Sequence, residues 1–281
     1  MKEIDGGYTV NGVVIMVSPI GEYDNRIEIL TTDLGRVSAF VRGARRQNSP
    51  LSAASMPFTF AQFKLFRGRN SYTLRSAKIV KHFEELALDL DLFMEASYFA
   101  EFARYFTREN VEAKREVDLL FLACSALVKG VVNRDAVRFA FEMRMMLYEG
   151  IALEFSECIV CHKKYSNQEF LSLPLGKVAV DFSRGGIVCA DCLQKIYREE
   201  EDIALNAGIP TYMIMQKRNN DKNRFYLSRD SIYAIQYVLS CDQKKLFAFE
   251  LKEEILLELK GFMEAYIERF VNHKFNSLFL Y

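Results

Sequence analysis

The hydrophobic period of this chain changes near Phe83, and that switch limits the folds open to it. Before it, the pattern has a period of two. Tyr8 to Val17 is rich in β-branched residues and stops at Ser18-Pro19. Asn25 to Thr32 alternates, with Ile27 and Ile29 flanking Glu28, and Gly35 to Arg42 alternates through Val37, Ala39 and Val41. A loop from Gly43 to Pro57 follows. Phe58 to Phe66 and Ser71 to Lys81 then read as two more strands, joined by the turn Arg67-Gly68-Arg69-Asn70. Five short strands in about 75 residues predict a small closed barrel; the OB-fold is the expected form, and an SH3-like barrel is the alternative that strand count leaves open.

After Phe83 the period lengthens to that of a helix. Leu86, Leu90, Phe93, Met94, Phe99, Phe102 and Phe106 predict one amphipathic helix from Glu84 to Thr107. A second is expected over Val111 to Val128, ended by Gly130, and a third from an Asn133 N-cap to Gly150. Helical periodicity returns at Cys192 to Ile203, at Ser228 to Leu239 and at Phe249 to Asn272, while the polar segment Gln216 to Arg229 reads as a loop. The expected fold is α+β and multidomain. It has an N-terminal OB-fold β-barrel over residues 1–82, an all-α domain over 83–153 and 194–281, and a four-cysteine zinc-binding subdomain inserted at 154–193.

Charge is distributed unevenly along this plan. The chain carries 37 basic and 37 acidic residues. Residues 1–81 hold 12 Lys/Arg against 6 Asp/Glu, and the remaining 200 hold 25 against 31. The stretch from Arg36 to Phe83 has ten cations and no carboxylate, with Phe40, Phe58, Phe60, Phe63, Phe66 and Tyr72 interleaved among them. Cations that track phosphates, beside rings on which bases stack, suit a nucleic-acid groove. The plainer reading is a solvated basic face over an aromatic core.

Cys158-Ile-Val-Cys161 and Cys189-Ala-Asp-Cys192 are two C-x-x-C pairs separated by 27 residues. Each pair offers two thiolates from one knuckle, and two knuckles complete the sulfur tetrahedron that structural zinc prefers. A hairpin within Glu169 to Phe182 is expected to fill the interval, with Gly185-Gly186 turning the chain back. Two buried cysteine pairs or a redox dithiol are the alternatives; the βαβ context of a redox motif is missing. His162, beside Cys161, is expected to face outward. Such a closed site has no open coordination position and is structural rather than catalytic.

No phosphate-binding G-x-x-x-x-G-K loop, G-x-G-x-x-G, G-x-S-x-G or H-E-x-x-H is present, and the three histidines have no nucleophile near them in sequence. Cys124, among Leu122, Ala123 and Leu127, reads as buried and inert. The chain is expected not to be an enzyme. No apolar run reaches the length of a bilayer span and no secretory leader is evident, so a cytoplasmic site is expected.

The order of these features resembles the RecO family of bacterial DNA-repair proteins. The likeness is carried by Asp24, Thr31-Thr32-Asp33-Leu34-Gly35, Arg42-Gly43-Ala44-Arg45-Arg46, Pro57-Phe58 and Arg67-Gly68-Arg69, then by Glu149-Gly150, the four cysteines with Gly185-Gly186, and Lys274-Phe275-Asn276-Ser277-Leu278. The resemblance implies binding of single- and double-stranded DNA, annealing of complementary strands, and loading of the RecA recombinase onto DNA coated by single-strand-binding protein. The partners it implies are RecR and the acidic C-terminal tail of that protein. Arg42, Arg45 and Arg46 are the expected DNA contacts, because the third strand and its following loop line the usual OB groove; Arg67, Arg69, Arg75 and Lys78 extend the path. The competing expectation is a non-catalytic scaffold whose basic domain docks acidic protein segments.

Overall fold

The computed structural model describes residues 2–4, 7–69, 71–165, 177–219, 221–275 and 277. They fall into two compact units: Met1–Phe141 with Lys274–Tyr281, and Glu142–His273.

The first unit opens with six strands: β1 (Lys2–Ile4), β2 (Gly7–Ile20), β3 (Asp24–Thr31), β4 (Gly35–Val41), β5 (Thr59–Arg67) and β6 (Tyr72–His82). Period-two alternation fixes their faces. Val10, Val14, Ile27, Ile29, Val37, Ala39, Val41, Phe63, Leu65 and Leu74 point inward and form one buried cluster. β2 pairs with β3 and β5, β3 with β4, and β5 with β6, all antiparallel; β4 and β6 pair in parallel through two residues only. The pairing therefore returns to the strand from which it began, in an OB-like order. β2 serves two neighbours along its length, and Gly12 pairs with both, opposite Thr31 and Ala61, where a Cβ would lie 2.4 Å from the Leu30 carbonyl oxygen.

The region expected to be one helix from Glu84 to Thr107 is two: α1 (Glu84–Ala87) and α2 (Leu90–Phe106). Asp89 makes the break, since its Oδ1 accepts the Leu92 N–H at 3.1 Å as an N-cap. α3 (Lys114–Lys129) ends on Gly130, which is left-handed at φ 62°. α4 (Arg134–Tyr148) starts after Asn133, whose Oδ1 accepts the Asp135 N–H at 2.8 Å. Phe60, Phe83 and Phe121 meet edge to face and join sheet to helix, and Phe275 packs on Tyr98, Phe102 and Tyr105. Ser277 fixes that returning segment, its N–H and hydroxyl donating to Glu101 Oε2 at 3.0 and 2.6 Å.

The second unit is mainly helical. It contains β7 (Val178–Asp181), β8 (Gly186–Val188), α5 (Ala190–Asn206), α6 (Thr211–Asn219), β9 (Arg224–Leu227), α7 (Arg229–Ser240) and α8 (Glu253–Phe270). The loop expected over Gln216 to Arg229 instead holds the end of α6 and the strand β9, which pairs with β7 in a sheet of order β8-β7-β9. That strand is a correction to an all-α second part. Most of the hairpin expected at 169–182 lies outside the described residues; its last strand is β7, joined to β8 by a turn through Gly185 at φ 88°. Phe182, Phe225, Phe262, Tyr266 and Phe270 pack together over this sheet.

Candidate nucleic-acid interface and metal centre

All seven cations expected to contact DNA are exposed. Among the described residues none of them makes an ion pair. Strand direction arranges them. Arg42, Arg45 and Arg46 follow the end of β4, beside the β2–β3 turn: the Arg45 N–H donates to the Tyr23 carbonyl at 2.9 Å, and the Arg46 guanidinium lies 5.3 Å from the Tyr23 ring centre. The Gly43 N–H, donating to Asp24 Oδ1 at 2.7 Å, ties the loop down. β6 enters beside the second half of β4, with Tyr72 opposite Ala39 and Arg67 opposite Tyr72, so the β5–β6 turn carrying Arg67 and Arg69 lies two strands across from that half of β4. Arg75, two residues past Thr73 on β6, lies over the Phe66 ring at 5.4 Å. Lys78, opposite Gln62, lies further along β6.

Not every cation of the acid-free stretch is available. Arg36 reaches Glu28 at 3.4 Å, and Arg104 of α2 holds the same carboxylate through Nε at 2.6 Å and Nη2 at 3.0 Å. Burial opposes ionisation of Glu28, but Arg104 and then Arg36 outweigh it and hold the carboxyl below its ordinary range. Arg26, absent from the sequence-based set, is an outward residue of β3 whose Nε donates to Ser38 Oγ at 2.8 Å. The alternation around Ile27 is the signal for it.

In the second unit the four cysteines converge: their Sγ atoms all lie within 4.8 Å of one another. Cys161 and Cys189 Sγ are 3.7 Å apart, close to the ~3.8 Å edge of a tetrahedron with 2.3 Å zinc–sulfur bonds. The set fits a tetrahedral metal. The first knuckle is a tight hairpin in which the Cys158 N–H donates to Lys163 O at 2.8 Å and the His162 N–H to Cys158 O at 2.8 Å. Cys189 is the N-cap residue of α5, Cys192 lies in its first turn, and the Cys189 N–H donates to Cys158 Sγ at 3.4 Å. The Ile159 N–H on Ile187 O, at 3.0 Å, joins the knuckles. Gly186 permits this, since a Cβ there would lie 2.5 Å from the Glu154 carbonyl oxygen. Burial pushes Cys158 up, but N–H donors from Cys189, Cys161 and Val160 prevail and bring it down to about 7. Burial, then the neighbouring sulfurs, push Cys192 well up. A cation among them would let all four ionise together. His162 is exposed, turned to Glu157 at 2.8 Å and outside the cluster. Cys124 is fully buried, and burial drives its thiol far above its ordinary range.

Comparison with known proteins agrees with both halves of this plan. Residues 5–83 match the family model for the recombination protein O N terminal, and residues 87–279 match that for the recombination protein O C terminal. The chain belongs to the RecO family. A DNA repair protein RecO of Acetivibrio thermocellus is 25% identical over 268 residues, covering 95% of this chain and 93% of its own. One of Caldicellulosiruptor saccharolyticus is 26% identical over 259 residues, covering 92% and 90%. The basic strip falls within the RecO N-terminal match and all four cysteines within the C-terminal one. No helix among the described residues is long and apolar enough to cross a membrane.

Proposed function

We propose that this RecO-family chain is a non-catalytic DNA-repair protein that binds single- and double-stranded DNA without reading sequence, anneals complementary strands and helps to load recombinase. The observation that supports this most is the set of exposed cations on an OB-like sheet that make no ion pair among the described residues. Arg42, Arg45 and Arg46 after β4, Arg67 and Arg69 at the β5–β6 turn, and Arg75 and Lys78 along β6 take the phosphates. Contacts to phosphate position a strand but carry no base information. Neutralising phosphates on two strands removes the repulsion that slows their pairing, which is how annealing follows.

Residues 1–82 are the DNA-binding part of this reading, 83–153 with 194–281 the helical part, and 154–193 the zinc-binding part. Zinc, held by Cys158, Cys161, Cys189 and Cys192, supplies folding free energy. Family membership supports RecR, the tail of single-strand-binding protein and, indirectly, RecA as partners, and the bacterial cytoplasm at the nucleoid as the place of action. The test is the Arg42→Ala, Arg45→Ala, Arg46→Ala triple variant. Its single-strand affinity should fall, and the slope of log affinity against log salt should flatten by up to about 2, at about 0.7 for each phosphate left without its arginine. Unchanged affinity and slope would remove these residues from the interface.

A further inference from the structure

The six aromatics interleaved with the cations divide into two sets. Phe58, Phe60, Phe63 and Tyr72 are core residues, each 5% exposed or less, whereas Phe40 and Phe66 face solvent at 36% and 41%. Register sets these two in one lateral row across four strands. Arg26 lies opposite Phe40, Phe40 opposite Thr73, and Thr73 opposite Phe66. Residues paired across strands project from the same face, so the two rings stand two strand spacings apart, ~10 Å. Arg75 lies over Phe66, with its guanidinium 5.4 Å from the ring centre. The row crosses the β4–β6 seam, where the two strands share only two paired residues.

We propose that Phe40 and Phe66 form a stacking platform for unpaired nucleobases, and that this platform, rather than the cations, separates single strands from duplex. The inference rests on the DNA-binding reading above and adds to it. A cation meets phosphate in either form of DNA, but a duplex hides its base faces in its own stack. Bases stacked in a helix are ~3.4 Å apart along the strand, so two neighbours that stay stacked cannot cover rings ~10 Å apart. The strand must splay, which an unpaired strand does freely. Every base has a flat face, so the platform binds without sequence preference. Arg75 extends the same surface, since a guanidinium also stacks on flat rings. The charges beside the two rings are cationic, Arg26 opposite Phe40 and Arg75 over Phe66, which favours a polyanion over an apolar protein segment.

The full chain contains no tryptophan, so Phe40→Trp and Phe66→Trp each introduce a sole indole. A single-stranded oligothymidylate should quench both, and an abasic oligomer of equal length should not. Phe40→Ala and Phe66→Ala should each lower single-strand affinity about fivefold or more, with duplex affinity and single-strand salt slope unchanged. The Trp variants should keep wild-type single-strand affinity. Equal losses for single strand and duplex, or no loss for single strand, overturn the platform. So does unchanged DNA affinity coupled to lost binding of an acidic peptide, which assigns the row to a protein partner. If the wild type binds both DNA forms and the triple Arg variant weakens both while the Phe variants weaken neither, only the platform fails. If the wild type binds neither, the DNA-binding reading fails with it.

Discussion

Glu28 shows how one side chain decides which part of a basic surface stays free. It faces outward from β3, yet Arg104 grips it with two hydrogen bonds and Arg36 adds a third. The pair is partly buried and bidentate, the geometry in which a surface ion pair contributes measurably, so Glu28→Gln should cost about 1 kcal/mol near neutral pH. The sign with pH follows from its depressed folded pKa. The contribution is complete above the ordinary value of 4.5 and is lost as pH falls through the lower folded value. Urea unfolding of wild type and variant should therefore differ near neutral pH and converge in acid, as pH falls through the lowered folded value; a constant gap would deny the carboxylate this role. Gly35, two residues past the Thr32-Asp33 turn, makes a second point at the same scale. At φ 62° its Cβ would lie 1.9 Å from the Arg108 carbonyl oxygen and 2.5 Å from that of Val111. Gly35→Ala should lower stability by about 3 kcal/mol or more, read as a drop in denaturation midpoint.

Whole elements are legible in the sequence wherever burial follows a simple period. The five expected strands all form, shifted at their ends by a few residues, because β3 and β4 alternate inward apolar residues with outward polar ones and β2 is rich in β-branched residues. The knuckle spacing likewise leads to the four cysteines that converge. Three things are hidden. The Asp89 cap interrupts a helical stripe without changing its period. Phe60 and Phe66 share a parity along β5, so alternation alone puts both outside, but Phe83 and Phe121 cover Phe60. The strand β9 escapes because Arg224, 5% exposed at its side chain, reads as solvated while its partners Asp181, Glu200 and Asp221 are far away in sequence or in an apparent loop. Arg224 holds β9 to β7 through Asp181, itself 1% exposed. Removing one member of a buried pair strands the other, so Arg224→Ala should cost about 3–5 kcal/mol. With Asp181→Asn added, the double variant should lose less than the sum of the two single losses; strict additivity in a denaturation cycle would mean the pair is not coupled.

For the molecule as a whole, the two candidate sites belong to different compact units and make different demands. The proposed DNA strip would work by long-range attraction and would need only to be held in place; its charge is offset by the net acidic remainder of a chain whose formal charge is zero. The proposed zinc works by short bonds: four thiolates fill a tetrahedron, so no coordination position remains for substrate or nucleic acid. Its contribution to folding can reach on the order of 10 kcal/mol, more than the knuckle hairpin and one helix turn can draw from their own small core. Stability and DNA affinity should therefore respond differently to loss of metal. Cys158→Ser and Cys192→Ser should lower bound zinc and melting temperature together, and chelation of the wild type should do the same. Single-strand affinity, measured at a temperature where the sheet unit stays folded, should change by less than about twofold, because every cation of the strip is still in place. Full zinc loading in either variant would refute the four-thiolate centre. A fall in DNA affinity as steep as that of the triple Arg variant would instead place part of the DNA path on the metal-bearing unit.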